Sequence, residues 1–85
     1  MSVWTLHASY DREVKTFYTV DCDVPGLVTE GDTLEHLAAR AVAVIPELLE
    51  GNAHLIAPER LVPPHTLRVI FNYEHAFDVP ELVAA

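Results

Sequence analysis

The sequence predicts an α+β fold with the element order β-β-β-α-β, and three observations support that prediction. Apolar and polar residues alternate over residues 3–10 and over residues 66–74, as they do in strands with one buried face. Residues 16–22 are rich in β-branched and aromatic side chains, which also favour a strand. Residues 32–51 instead carry apolar side chains at the 3.6-residue spacing of a helix. The chain therefore combines one helix with strands that precede and follow it.

The first two strands are predicted to form a hairpin across the charged turn at residues 11–15. The first strand is expected to bury one face, which carries Trp4, Leu6, Ala8 and Tyr10. The second strand is expected to carry Tyr18, Val20 and Cys22 on one side. His7 falls on the face away from the apolar side chains and is expected to be solvated.

The segment between the hairpin and the helix carries turn and capping signals. Val24-Pro25-Gly26-Leu27 predicts a type II turn, because proline presets φ at its second position and glycine accepts the positive φ of its third. A short strand is expected at residues 27–30. Asp32 is the predicted helix N-cap, and Glu35 completes a capping box. Pro46 lies inside the helix, where we expect it to bend the helix around the sheet.

The last strand is expected to return beside the first and parallel to it through a right-handed crossover. The prediction is thus a three-stranded antiparallel sheet plus a fourth strand parallel to the first, with one helix packed on one face. This order matches the first part of a ribonuclease H-like fold. The domain is predicted to cover residues 1–75. Residues 76–85 are predicted to be a C-terminal tail whose Phe77, Val79 and Leu82 can dock on the domain or on a partner.

Composition restricts the class of protein. A length of 85 residues is enough for one domain, and a hydrophobic content of 51% is too high for disorder. Lys and Arg total 5 against 13 Asp and Glu, so the net charge is -8 and direct nucleic-acid binding is not expected. A basic protein partner would be attracted instead. One cysteine, no signal peptide and no stretch of about 18 apolar residues predict a cytoplasmic chain without disulfides or membrane spans.

The sequence shows no catalytic constellation, so the chain is not expected to be an enzyme or to bind a cofactor or metal. Ribonuclease H-like enzymes hold metal ions with acids on the first strand, the helix and the fourth strand. Here the middle of the first strand is Thr5-Leu6-His7, and the middle of the last is Val69-Ile70-Phe71. The five histidines are not paired at metal-ligand spacing. A nucleophilic pair of Cys22 with a histidine stays open, although a lone buried cysteine is usually a packing residue.

Acidic residues are concentrated around the Pro-Gly turn, and two interpretations of them stay open. They are Asp21, Asp23, Glu30, Asp32 and Glu35. Solubility and helix capping explain Asp32 and Glu35 fully. Alternatively, the cluster is a docking surface for a basic partner.

The segment from Asp21 to Leu34 resembles the hallmark of HicB-like proteins, in which the pattern D-x-P-G-x-x-T-x-G-D-T lies between the second strand and the helix. The residues that match it are Asp23, Pro25, Gly26, Thr29, Gly31, Asp32 and Thr33. The stretch Ile45-Pro46-Glu47-Leu48-Leu49-Glu50 further resembles short stand-alone HicB-like proteins of uncharacterised function. The resemblance covers residues 3–51.

The resemblance implies a binding module. In HicB antitoxins the N-terminal domain blocks HicA, a small basic toxin that cleaves messenger RNA, and a C-terminal module binds operator DNA. Only the short tail follows the last predicted strand here, so operator binding is not implied. We therefore expect a homodimeric domain that sequesters such a toxin, with Asp21, Asp23, Pro25 and Glu30 as contact or contact-shaping residues. The alternatives are a self-associating structural or regulatory protein without a toxin partner and a small-molecule enzyme on the same scaffold.

Overall fold

In the computed structural model, which describes residues 1–80, one helix packs on one face of a five-stranded mixed sheet. The strands are β1 (Ser2–Asp11), β2 (Thr16–Cys22), β3 (Glu30–Gly31), β4 (His65–Phe71) and β5 (Tyr73–Val79), and the helix is α1 (Leu34–Gly51). Their order across the sheet is β3-β2-β1-β4-β5. β1 and β4 run parallel, and the other neighbours run antiparallel. The predicted fold class is therefore confirmed, with a fifth strand added at one edge.

The core lies between α1 and the two central strands. The strands contribute the fully buried side chains of Trp4, Leu6, Leu67 and Val69. The helix packs against them with Leu37, Ala38, Ala41 and Ile45, which also have no exposed surface. Burial of each large apolar side chain stabilises the fold by about 1.5–3 kcal/mol. Because side chains alternate along a strand, the intervening residues of β1 and β4 point to the opposite face of the sheet.

The fifth strand extends the sheet beyond residue 75, where we predicted the domain to end. Residues 76–79 are the second half of β5 and not the start of a tail, since Val79 is buried and Phe77 packs against the core. β5 pairs with β4 over its whole length, from Phe71 opposite Tyr73 to His65 opposite Val79. The turn between them places Asn72 at φ 60°, a conformation that asparagine adopts more readily than most residues. Residues 81–85, including Leu82, lie outside the described residues.

A β-bulge changes which side of β2 faces the core. The pairing with β1 passes from His7–Asp21 to Ala8–Thr19, so Val20 is an extra residue without an opposite partner. The alternation of the strand therefore reverses at this point. Val20 is 59% exposed and Tyr18 is 41% exposed, whereas Phe17 packs against the core. The expectation that Tyr18, Val20 and Cys22 share one side of the strand is wrong for this reason.

The type II turn is confirmed, because Gly26 has φ 79° and the Leu27 N–H donates to the Val24 carbonyl at 3.2 Å. The third strand is shorter and later than expected, covering only Glu30–Gly31. Thr33, and not Asp32, is the N-cap of α1. Its backbone is extended, and its hydroxyl oxygen accepts the His36 N–H at 3.0 Å.

Candidate functional site

Within residues 1–80, one face of the sheet is not covered by a helix. On β1, Trp4 and Leu6 point to α1, so Val3, Thr5, His7 and Ser9 point away from it. Residues directly opposite one another in a sheet share a face, and the pairing extends this set to the other strands. Together these residues form what we call the open face: Val3, Thr5, His7, Ser9, Tyr18, Asp21, Glu30, Thr66, Arg68, Ile70, Glu74, Ala76 and Asp78.

The open face is accessible and acidic. None of its thirteen residues is buried, even those on the central strands β1 and β4. Its carboxylates are those of Asp21, Glu30, Glu74 and Asp78, against the single guanidinium of Arg68. A sheet face with this excess of negative charge is suited to contact with a basic surface.

Asp21 and Glu30, two of the predicted contact residues, both lie on this face. Asp21 is directly opposite His7, and its Oδ1 lies 2.7 Å from the His7 Nδ1 atom. Both side chains are largely in water, so the pair adds little to stability and leaves Asp21 accessible. Glu30 is directly opposite Tyr18 on the edge strand β3. It borders a shallow depression of about 360 Å³ that Arg40 and Val28 also line.

Asp23, the third of the predicted residues, has both carboxylate oxygens hydrogen-bonded within the fold. Its Oδ1 accepts the Thr5 N–H at 2.7 Å, and its Oδ2 accepts from Arg60 at 2.9 Å. The Arg60 guanidinium also donates to the Val3 carbonyl at 3.0 Å and lies 4.1 Å from the centre of the Trp4 ring. Asp23 thus connects the end of β2 to β1 and to the short helical turn Pro58–Leu61.

Pro25, the fourth predicted contact residue, shapes the turn between β2 and β3. It is partly buried, and its carbonyl oxygen accepts from the Asn52 side chain at 3.4 Å. The neighbouring Gly26 holds the positive φ, where a Cβ would lie 3.6 Å from Leu48. The turn is therefore fixed against the C-terminal end of α1.

The hallmark residues thus have structural roles in this chain. Gly26 supplies the positive φ, Thr33 caps the helix, and Gly31 lets β3 approach the backbone of α1. Thr29 forms a reciprocal pair with Thr19, since each residue donates to the other at 3.0–3.1 Å. The motif builds the connection from β2 to α1, and the side chains free to contact a partner lie beside it.

Glu74 and Asp78 were not predicted as site residues, because residue 74 was assigned to the end of the last predicted strand and residue 78 to the tail, whereas both lie on β5 next to β4. Glu74 Oε1 lies 3.4 Å from the Arg68 Nε atom, a buried nitrogen without a hydrogen bond of good geometry. Arg68 also donates to the Thr5 hydroxyl at 3.4 Å. The sequence did contain a signal for this strand, since Glu74, Ala76 and Asp78 alternate with His75, Phe77 and Val79. A strand that ends just before Pro80 accounts for this alternation.

Cys22 is a poor candidate nucleophile. Burial raises the pKa of its thiol, and the charges of Asp23 and Asp21 raise it further. The Val24 N–H, 3.5 Å from the sulfur, opposes the shift only in part. A raised pKa disfavours the thiolate, which is the reactive form.

Among residues 1–80, no group of three or more His, Cys, Asp or Glu side chains is placed to hold a metal ion.

Comparison with known proteins places the chain in a family. A family model described as a domain of unknown function, DUF1902, matches residues 3–69. The chain belongs to the DUF1902 family. This match begins in β1 and ends within β4, so β5 lies beyond it.

One solved structure that resembles this DUF1902 protein is the crystal structure of a hypothetical protein from the extremely thermophilic bacterium Thermus thermophilus. The two are 35% identical, the alignment covers 80% of this chain and 89% of the other, and the TM-score is 0.65. No curated protein matches the chain. Within residues 1–80, no helix combines the length and the apolar character that a membrane crossing requires.

Proposed function

We propose that this DUF1902 protein is a HicB-like binding module that holds a small basic protein on its open face in the cytoplasm. The observation that carries the proposal is the uncovered sheet face with four carboxylates and one guanidinium. The net charge of -8 adds long-range attraction for a basic partner. In this proposal the chain binds and does not catalyse.

The proposed partner is a messenger-RNA-cleaving toxin of HicA type, which makes the chain an antitoxin. A protein that binds RNA does so largely through basic residues that neutralise phosphates. An acidic sheet face competes for those same residues and so blocks access of the RNA. The resemblance of residues 21–34 to the HicB hallmark supports this partner class.

The test is affinity capture of the tagged full chain from its own host, followed by mass spectrometry. We expect a small basic protein in stoichiometric amount. The double variant Asp21→Lys/Glu30→Lys should lose it, because two carboxylates of the open face become repulsive. The matched control is Glu47→Lys/Glu50→Lys, which makes the same change of charge at exposed positions on α1.

Three results are informative. Loss of the partner only in the Asp21/Glu30 variant supports the open face as the binding surface. Equal loss in both variants would mean that overall charge, and not this face, attracts the partner. Recovery of the tagged chain alone would contradict the proposed function.

A further inference from the structure

The outer edge of β5 is unpaired within residues 1–80. On its inner side the strand pairs with β4 at every position from Tyr73 to Val79. On its outer side no other strand of the described chain lies next to it, because β5 is last in the sheet order. Alternate residues of this seven-residue strand therefore direct their backbone N–H and C=O groups outward, where a further strand can pair with them.

This edge lacks the features that usually prevent pairing. Between residues 73 and 79 there is no lysine and no proline, and the register with β4 is regular without a bulge. Tyr73 is 77% exposed and shares the helix-facing side of the strand with Phe77. Glu74 and Asp78 are the acidic groups of the strand, and both lie on the open face. They restrict which partner strand and which register can pair there.

Antiparallel pairing of β5 with a second copy is restricted to a few registers. Residues that are opposite one another must lie on the same face of the sheet. The twofold axis therefore passes between the two copies of a single residue, which we call the central residue of the register. An axis at Ala76 places Glu74 opposite Asp78 twice, and an axis at Glu74 brings the two copies of that carboxylate together. An axis at Phe77 places Glu74 opposite Pro80, which has no N–H to donate.

The register centred on His75 avoids each of these conflicts. It places Tyr73 of each copy opposite Phe77 of the other, and Glu74 opposite Ala76. Aromatic pairs directly across a sheet are favourable contacts. We propose that two copies of the chain pair through β5 in this register to form one ten-stranded sheet. Both helices then lie on one side, and the two open faces form a continuous acidic surface on the other.

The proposed dimer is weak and salt-dependent. The paired segment, residues 73–77, is much smaller than the interfaces of permanent dimers. Each copy carries a charge of -8, and salt screens the repulsion between them. Association should therefore become stronger as the salt concentration rises. Binding of a basic partner should become weaker under the same change, so the two proposals are distinguishable.

The first test is sedimentation equilibrium of the full chain up to about 1 mM, a range that detects millimolar dissociation constants. We expect reversible dimers that strengthen several-fold between low and high salt. Tyr73→Ser should weaken association about tenfold or more, because it removes both aromatic pairs. The matched control is Val28→Ser, which removes an 84% exposed side chain near the other edge of the sheet and should have no effect.

The second test determines the register by disulfide formation in a Cys22→Ser background. Opposite residues in an antiparallel pair have Cα atoms about 4.5–5.5 Å apart, within the range of a disulfide. His75→Cys should crosslink to itself. Tyr73→Cys and Phe77→Cys should crosslink only when mixed. A chain that stays monomeric at high salt, dimers that Tyr73→Ser does not weaken, or self-crosslinking of Ala76→Cys instead of His75→Cys would overturn the proposal. Any of these results would leave capture of a basic partner unaffected.

Discussion

Among single residues, Gly31 sets how closely β3 approaches α1. A Cβ at this position would lie 2.9 Å from the Leu37 Cα atom, in contact with backbone that cannot move aside. We expect Gly31→Ala to lower the free energy of unfolding by about 1–3 kcal/mol, as overpacking does elsewhere. Gly51→Ala is the control, because a Cβ there meets nothing within 4 Å. Urea unfolding of both variants checks the prediction, and equal stabilities would contradict it.

Asp23 and Asp21 are two positions apart and differ in what they contact. Asp23→Ala removes the acceptor for the Thr5 N–H and the ion pair with Arg60. We expect a loss of about 1 kcal/mol or more in the free energy of unfolding. Asp21→Ala removes only a solvent-exposed pair with His7 and should change stability by less than about 0.5 kcal/mol. Chemical denaturation of the two variants tests this, and the reverse order of stabilities would show that Asp23 is not structural.

The sequence predicted part of the candidate site, and there are physical reasons why it did not predict the rest. Asp21 and Glu30 were predicted as contact residues, and both are exposed on the open face. The partners of Asp23 are 18 and 37 positions away in the chain, so no local pattern reveals them. Pro25 was identified from a turn signal, which reports backbone shape and not contact. That these residues bind a partner stays a prediction.

At the scale of elements, prediction succeeded where periodicity or turn chemistry acted locally. The strand order through β4, the helix and the type II turn all follow from such signals. Prediction failed where one residue changed the phase or where pairing was distant. The extra residue Val20 reversed the alternation of β2. β5 contains charged residues, and its sequence alone did not distinguish it from a tail before its pairing with β4 was known.

The start of α1 gives a prediction for pH. The Asp32 carboxylate accepts a hydrogen bond from the His36 ring at 2.6 Å, and this bond lowers the pKa of Asp32 from its ordinary value of 3.8. A lowered pKa in the folded state means that the stabilisation is present above pH 3.8 and is lost as the pH falls through the folded pKa. Asp32→Asn should therefore be less stable than the natural chain at neutral pH, and the difference should shrink in acid.

Urea unfolding of both proteins from about pH 7 to below 3.8 measures that difference. His36→Ala is the control background, because it removes the hydrogen bond that lowers the pKa of Asp32. In that background the pH dependence of the Asp32→Asn difference should be smaller. A difference that does not change with pH would show that Asp32 contributes no linked stability.

At the scale of the whole molecule, the charge of -8 opposes the compact state. Two acidic residues of the open face, Glu30 and Asp78, form no ion pair within residues 1–80. Changing both to lysine alters the net charge by two units each, from -8 to -4. We expect this variant to be more stable than the natural chain at low ionic strength. The gain should largely vanish at about 1 M salt, where the Debye length is about 3 Å.

Urea unfolding at micromolar protein, where the proposed dimer is dissociated, measures this gain without a contribution from association. Glu47→Lys/Glu50→Lys makes the same change of charge on α1 and separates an effect of the open face from one of total charge. If the open face binds a basic partner, the Glu30/Asp78 variant should gain stability and lose capture of that partner. Residues with a role in binding commonly lower the free energy of unfolding in this way. A variant that is destabilised at low salt would mean that these carboxylates are structural, and the acidic face would then need no partner to explain it.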